Sequence, residues 1–274
     1  MSGFLDEMAR SSALRAEHAR AREPFAALEQ RARLAAPGPP LRWSGAGFDV
    51  IAELKLRSPA AGRLGAQSDD WLARVRAYAE GGAAAVSVLT EPSRFDGSLE
   101  HLHQAAAALL PLKVPAMRKD FLVDPYQILE ARAAGAGGVL VIVRMLSRAQ
   151  MMQLLDAAAE HRLFVLLEAF DAADLEAARE LLGLRRGAEQ ILVGINCRDL
   201  QTLEVVPERF AALAPRLPRG WPAVAESGVA GAADAVRMMR LGYRLALIGT
   251  ALMSCDDPMR LLGEIMTTTR TVKA

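Results

Sequence analysis

From residue 48 onward the chain alternates two hydrophobic patterns. Short apolar runs are separated by longer stretches in which apolar residues recur at helical spacing. The first run is Phe48-Asp49-Val50-Ile51-Ala52-Glu53-Leu54-Lys55. Further strands are predicted over Ala84–Leu89, Pro115–Lys119, Gly138–Val143, Leu163–Glu168, Ile191–Ile195, Pro222–Glu226 and Leu245–Ile248. Between and after them the spacing predicts helices over Asp70–Glu80, Leu99–Leu110, Pro125–Ala134, Ser147–His161, Ala172–Leu182, Pro207–Leu213, Gly231–Leu241 and Pro258–Met266. The punctuation agrees. Gly81-Gly82 is a helix-stop signal, and Pro125 stands at a favoured first-turn position. Strands that are apolar throughout suit a parallel sheet covered on both faces. Repeated strand–helix units predict an α/β fold, a (β/α)8 TIM barrel rather than an open doubly wound sheet.

Residues 1–46 stand outside this alternation and read as an N-terminal helical extension, leaving 47–274 as the barrel catalytic domain. Phe4, Leu5 and Met8 have helical spacing, an Ala/Arg/Glu-rich stretch continues to Leu34, and Ala36-Pro37-Gly38-Pro39-Pro40 stops any helix. A chain of 274 residues lies within the range of one such barrel, and a hydrophobic content of 52% supplies a large core. Net charge +1 gives no reason to expect a nucleic-acid or anionic membrane partner. The longest apolar run, around Val139–Val143, is far too short to span a bilayer, and Met1–Arg22 lacks the apolar core of a signal peptide. Cys197 and Cys255 match no metal or redox spacing, and the four histidines form no metal motif. No Gly-x-Gly-x-x-Gly follows a strand and no Walker motif occurs. The expectation is a cytoplasmic protein, a monomer or weak homodimer, with no metal and no cofactor.

In a barrel of this kind the active site lies at the C-terminal ends of the strands. Those ends carry Glu53 and Lys55, then Lys119, Glu168, Asn196, Glu226-Ser227-Gly228 and Gly249-Thr250. Side chains alternate along a strand, so Ile51, Glu53 and Lys55 point the same way. One charged residue closing a strand is usually just solvated. Polar groups closing five strands and facing one mouth are not explained that way. Such a ring shifts the pKa values of its members through charge and desolvation, which tunes proton donors and acceptors without histidine. Asn196 can hold a hydroxyl or an oxyanion but cannot titrate. Ser227-Gly228 and Gly249-Thr250 place small residues and exposed backbone N–H groups just after strands 7 and 8, the usual phosphate position. Ser58, in the loop after strand 1, can add a hydroxyl; otherwise it is a turn residue before Pro59.

Several blocks together resemble the indole-3-glycerol-phosphate synthase family. They are Ile51-Ala52-Glu53-Leu54-Lys55-Leu56-Arg57-Ser58-Pro59, Gly81–Thr90, Phe95-Asp96-Gly97-Ser98, Met117-Arg118-Lys119-Asp120-Phe121, Asp124-Pro125-Tyr126-Gln127, Gly194–Leu200 and Ala225-Glu226-Ser227-Gly228-Val229. The resemblance covers about 48–265, and the extension also looks like that family's helical extension, which implies a helix over the barrel mouth. It implies ring closure of 1-(2-carboxyphenylamino)-1-deoxyribulose 5-phosphate, a small sugar phosphate, with loss of carbon dioxide and water and no cofactor. On that basis Lys119 would protonate the ketone. Lys55 would hold the carboxylate or act as acid in dehydration. Glu168 and Glu53 would serve the proton transfers, and Asn196 would orient hydroxyls. Glu226 would position a lysine, with Ser227 beside it in the catalytic ring. Arg198 would meet the anthranilate carboxylate, Phe95 would pack on the aromatic ring, and Ser58 would line the substrate site. Gly228, Gly249 and Thr250 would bind the phosphate.

The chain also departs from the family pattern. Ala60-Ala61 stand where Ser-Lys is common, Arg94 where an aromatic residue is usual, and Cys197 where Asn is frequent; loop 63–69 is atypical. These changes raise a paralogue acting on a modified anthranilate as an alternative. Another is an isomerase of the same fold, whose chemistry normally needs a Cys–Asp pair; strand 1 carries no cysteine. A non-catalytic scaffold would have no need of five polar strand ends.

Overall fold

In the computed structural model of the protein, eight parallel strands close into a barrel in which each pairs with its neighbours in sequence and the last returns to the first. The described residues are 3–44, 47–58, 62–63, 70–185, 190–200 and 202–272. The strands are β1 Asp49–Leu54, β2 Ala85–Leu89, β3 Ala116–Lys119, β4 Gly138–Ile142, β5 Phe164–Ala169, β6 Ile191–Asn196, β7 Ala223–Glu226 and β8 Leu245–Ile248. Alternate residues face inward and outward. Ile51, Met117, Leu140, Leu166, Leu192 and Val224 meet on the barrel axis. Val50, Val86, Val139, Val165 and Val193 pack outward against helices. Burial on both faces is why the strands read as continuous apolar runs.

The helices are α1 Gly3–Arg22, α2 Phe25–Leu34, α3 Trp71–Glu80, α4 Pro92–Phe95, α5 Leu99–Leu109, α6 Pro125–Ala133, α7 Arg148–Glu160, α8 Ala172–Leu182, α9 Glu208–Leu213, α10 Ala232–Arg240, α11 Thr250–Ser254 and α12 Pro258–Thr271. Their starts are set by side-chain caps. Asp70, Ser98, Asp171 and Asp257 accept from backbone N–H groups, and Asp124/Gln127 and Ser147/Gln150 form reciprocal capping boxes. Three elements escape hydrophobic periodicity because they are too short to show a period: α4, α11, and a hairpin pairing Arg57–Ser58 with Gly62–Arg63. The last helix runs past Met266 to Thr271, since Thr269 is buried and its hydroxyl donates back to the Ile265 and Met266 carbonyls.

The segment before β1 touches both ends of the barrel. Leu5 and Met8 of α1 join the inward-facing cluster, and Leu28 and Ala32 of α2 pack on Tyr126 and Leu129 of α6. Beyond α2, Arg132 donates to the Ala35 and Ala36 carbonyls. The Leu41 backbone exchanges two hydrogen bonds with the side-chain amide of Gln190, the residue before β6. Gly38 lies so close to the Ala136–Gly137 peptide, just before β4, that a Cβ would stand 2.7 Å from its atoms. At the mouth lies α1, whose Phe4 lines the cavity and whose Arg15 pairs with Asp120 just after β3, whereas the proline-rich part crosses the opposite floor.

Candidate active site

At the C-terminal ends of the strands lies a cavity of about 470 Å³. Glu53 and Lys55 stand in its wall beside Lys119, Glu168, Asn196 and Glu226. Six polar residues from five strands thus converge, because each is the last or nearly the last inward position of its strand. Strand limits differ slightly from the sequence reading: β1 stops before Lys55, β5 includes Ala169 and β6 includes Asn196.

The charges form two groups. Lys55 Nζ lies 2.7 Å from Glu53 Oε1. Lys119 Nζ lies 3.2 Å from Glu168 Oε2 and 3.5 Å from Glu226 Oε2. Burial opposes charge on Lys119, but the carboxylates of Glu168, Glu226 and Glu53 outweigh it and push the ammonium pKa up. Burial likewise opposes charge on Glu53, and Lys55, Lys119 and Arg198 overcome it and hold its pKa below the ordinary value. Glu226 behaves differently. Burial, and then the neighbouring Glu168, push its pKa well up against the pull of Lys119. Neither of its oxygens has a hydrogen-bond partner among the described residues. Burial beside a second carboxylate therefore makes Glu226 a weaker acid than an exposed glutamate, although Lys119 lies within 3.5 Å.

Glycines make room for these acids. A Cβ on Gly194 of β6 would collide with the Glu226 carboxylate, and one on Gly249 would collide with that of Glu53. Asn196 is oriented by its surroundings: its Oδ1 accepts from Arg198 N–H at 3.0 Å and from Ser227 Oγ at 2.9 Å. A backbone N–H only donates, so this assigns the amide oxygen and leaves the NH2 group as the donor for a ligand.

Ser227 and Gly228 are both left-handed, with φ of 67° and 69°. A Cβ on Gly228 would stand 2.9 Å from Val205 and 3.1 Å from Cys197, so glycine fits here on both counts. Gly249 precedes the short helix α11, which opens with Thr250, and all four residues line the cavity. Arg198 lines it too, its Nη1 held by the Leu203 carbonyl at 2.7 Å. Phe95 packs at 6.2 Å against Phe121, and Phe121 meets Phe4 edge-on at 5.8 Å. Three separate elements thus build an aromatic wall. The Ser58 side chain, residues 59–61 and loop 64–69, including Ala60-Ala61, lie outside the described residues.

Other residues act around the ring. Asp120, next to Lys119, accepts from Arg15 Nη1 and Nη2, from Thr90 Oγ1 and from Phe121 N–H. Arg118 also reaches it at 3.2 Å. The part Arg15 plays was not legible from spacing, since nothing in the sequence ties α1 to β3. Arg94, which departs from the usual aromatic residue, pairs with Glu7 of α1 at 2.7 Å. Cys197 is buried, its thiol points to the Ser227 carbonyl, and burial pushes its pKa up to about 11. It is therefore unsuited to acid–base work near neutral pH. Among the described residues no cluster of His, Cys, Asp and Glu is placed to hold a metal ion. Nor is any helix among them long and apolar enough to cross a membrane.

Fold and site together define a (β/α)8-barrel enzyme with a cavity ringed by lysines, glutamates and an asparagine at the strand ends. A family model described as indole-3-glycerol phosphate synthase matches residues 5–265. An indole-3-glycerol phosphate synthase of Nocardioides sp. is 45% identical over 232 residues, 83% of this chain and 85% of that protein. One of Mycobacterium tuberculosis is 38% identical over 252 residues, 90% of this chain and 89% of that protein. The chain belongs to the indole-3-glycerol phosphate synthase family. Solved structures give the same architecture at low identity. The 3-hexulose-6-phosphate synthase of Salmonella typhimurium superposes with a TM-score of 0.62 at 13% identity, covering 81% of this chain and 98% of that one. A thiamine phosphate pyrophosphorylase from Pyrococcus furiosus superposes with a TM-score of 0.57 at 14% identity, covering 81% and 95%. At such identities these show the fold alone.

Proposed function

We propose that the protein is a carboxy-lyase of tryptophan biosynthesis. It converts 1-(2-carboxyphenylamino)-1-deoxyribulose 5-phosphate to indole-3-glycerol phosphate. The observation that carries the reading is the Lys119 ammonium between Glu168 and Glu226, facing the same cavity as the Lys55–Glu53 pair. The ring carbon bearing the carboxylate attacks the ketone, and the new C–C bond leaves charge on the ketone oxygen. Lys119 delivers a proton there. Its raised pKa keeps it charged before reaction and does not block transfer, because an alkoxide is more basic than an ammonium. Loss of carbon dioxide restores the aromatic ring, and loss of the former ketone oxygen as water, with a ring proton, completes the indole. Lys55 holds the carboxylate or protonates the leaving hydroxyl. Glu168 and Glu53 accept and return protons, while Glu226 holds Lys119 in place.

Arg198 takes the anthranilate carboxylate, Phe95 with Phe121 and Phe4 takes the ring, and Asn196 orients the sugar hydroxyls. Ser227, Gly228, Gly249 and Thr250 take the phosphate, and Ser58 contributes from the strand-1 loop. Residues 1–46 serve as an extension to a catalytic barrel of 47–274. The position of Phe4 in the cavity wall supports a part for the extension in substrate binding. The test is fluorescence detection of indole-3-glycerol phosphate formed from the carboxyphenylamino sugar phosphate by purified protein without added metal. Absence of indole product from folded protein would reject the proposal.

A further inference from the structure

Arg209, on the first turn of α9, lies behind the ring. Its Nη1 donates to the backbone carbonyl of Asn196 at 2.8 Å and reaches that of Arg198 at 3.4 Å. The residue between them is fixed in other ways: Cys197 N–H donates to the Glu226 carbonyl, and its own carbonyl accepts from Val206 N–H. Three successive peptides at the end of β6 are therefore tied, two of them by one guanidinium. No carboxylate pairs with Arg209 among the described residues, so its donors serve the backbone and not an ion pair. The side chains of Asn196 and Arg198, on those same two residues, line the cavity. They are also coupled to each other, since Asn196 Oδ1 accepts the Arg198 N–H.

We infer that Arg209 is a positioning residue for substrate binding. It touches no substrate itself. By holding the two carbonyls, it fixes where the Asn196 amide and the Arg198 guanidinium stand in the cavity. The rigid guanidinium plane presents Nη1 to both carbonyls in a fixed direction, whereas a lysine ammonium is a freely rotating point on a flexible stem. The inference rests on the lyase reading of this cavity.

The experiment compares wild type, Arg209→Met, Arg209→Lys, Arg198→Met and the Arg198→Met/Arg209→Met double variant by steady-state indole formation and thermal melting. Arg209→Met is expected to raise KM about tenfold, on the scale of one charge-assisted hydrogen bond, with kcat changing less. Arg209→Lys should fall between it and wild type. In the Arg198→Met background the Arg209→Met effect on KM should largely vanish, because residues acting through one another are not additive. An Arg209→Met protein that melts lower but keeps its KM would make Arg209 merely structural and overturn the inference. So would full additivity in the double variant. A wild-type protein that forms no indole would overturn the lyase reading itself, a result distinct from either.

Discussion

Arg15 in the first helix and Asp120 beside Lys119 are joined by two hydrogen bonds, of 2.9 and 2.7 Å, across 105 positions of sequence. Asp120 is wholly buried, and the pair anchors α1 to the loop that follows β3. Burial pushes the Asp120 pKa up, but the Arg15 hydrogen bonds and the nearby charges of Arg118 and Arg15 bring it down to about 2. A lowered pKa means that this contribution to stability is complete above the unfolded value, about 4, and is lost as pH falls toward 2.

Arg15→Met should therefore destabilise the protein. Removing one partner of a buried pair costs about 3–5 kcal/mol; Arg118 and Thr90 remain on Asp120 here, so about 1–3 kcal/mol is expected. The deficit should also shrink as pH falls when urea melts are run from pH 6 to 3, because the variant no longer holds the Asp120 pKa so low and so loses less stability in acid than wild type. Identical melts would mean that Arg118 alone satisfies Asp120.

Lys119→Met keeps the apolar stem and removes the ammonium. It should lower kcat by roughly 10²–10⁴-fold, the usual range for a general acid, while leaving substrate affinity less affected. Glu226 loses its cation, so its carboxyl should hold its proton more firmly; the fold should survive. Steady-state kinetics and a binding titration on the same preparation test this. Retention of most of kcat would pass the acid role to Lys55.

Gly194→Ala places a methyl group where the Glu226 carboxylate lies. The carboxyl must turn away, taking one contact from Lys119. A fall in kcat is expected, with a loss of stability of about 1–3 kcal/mol from overpacking. Glu226→Gln separates the two effects. It retains the shape and stays neutral at every pH. The native carboxyl has a raised pKa, so its stabilising contribution is present at low pH and lost as pH rises through that value. The amide should thus flatten the alkaline side of the stability profile. A glutamine variant with the wild-type profile would show that Glu226 is not the group titrating.

The phosphate site is tested by two substitutions at Gly228. Alanine and aspartate there share the strain of φ 69° and the crowding by Val205 and Cys197. Their difference isolates the carboxylate charge. KM for the sugar phosphate should be much higher in Gly228→Asp than in Gly228→Ala, and more so at low ionic strength, since salt screens like-charge repulsion. Equal KM values would move the phosphate elsewhere.

The barrel was legible from local pattern because a strand buried on both faces has to be apolar along its length, and each strand–helix unit carries its own stop and cap signals. The polar ring was legible for the same reason: Glu53, Lys119, Glu168 and Glu226 interrupt otherwise apolar strands at equivalent positions. The raised pKa of Glu226 was not. Glu168 and Glu226 look alike in sequence, and only their packing, with Gly194 making room for one and Lys119 lying between both, pushes Glu226 toward its neutral form. The same holds for α1. Its Phe4, Leu5 and Met8 announce an apolar face, but that Phe4 meets Phe121 in the cavity wall and Arg15 meets Asp120 depends on contacts across more than a hundred residues. Periodicity reports what a residue does within its own element. Ion pairs between elements, the pKa of Glu226 and the contacts of Arg209 with the β6 end arise from distances that only the folded barrel sets.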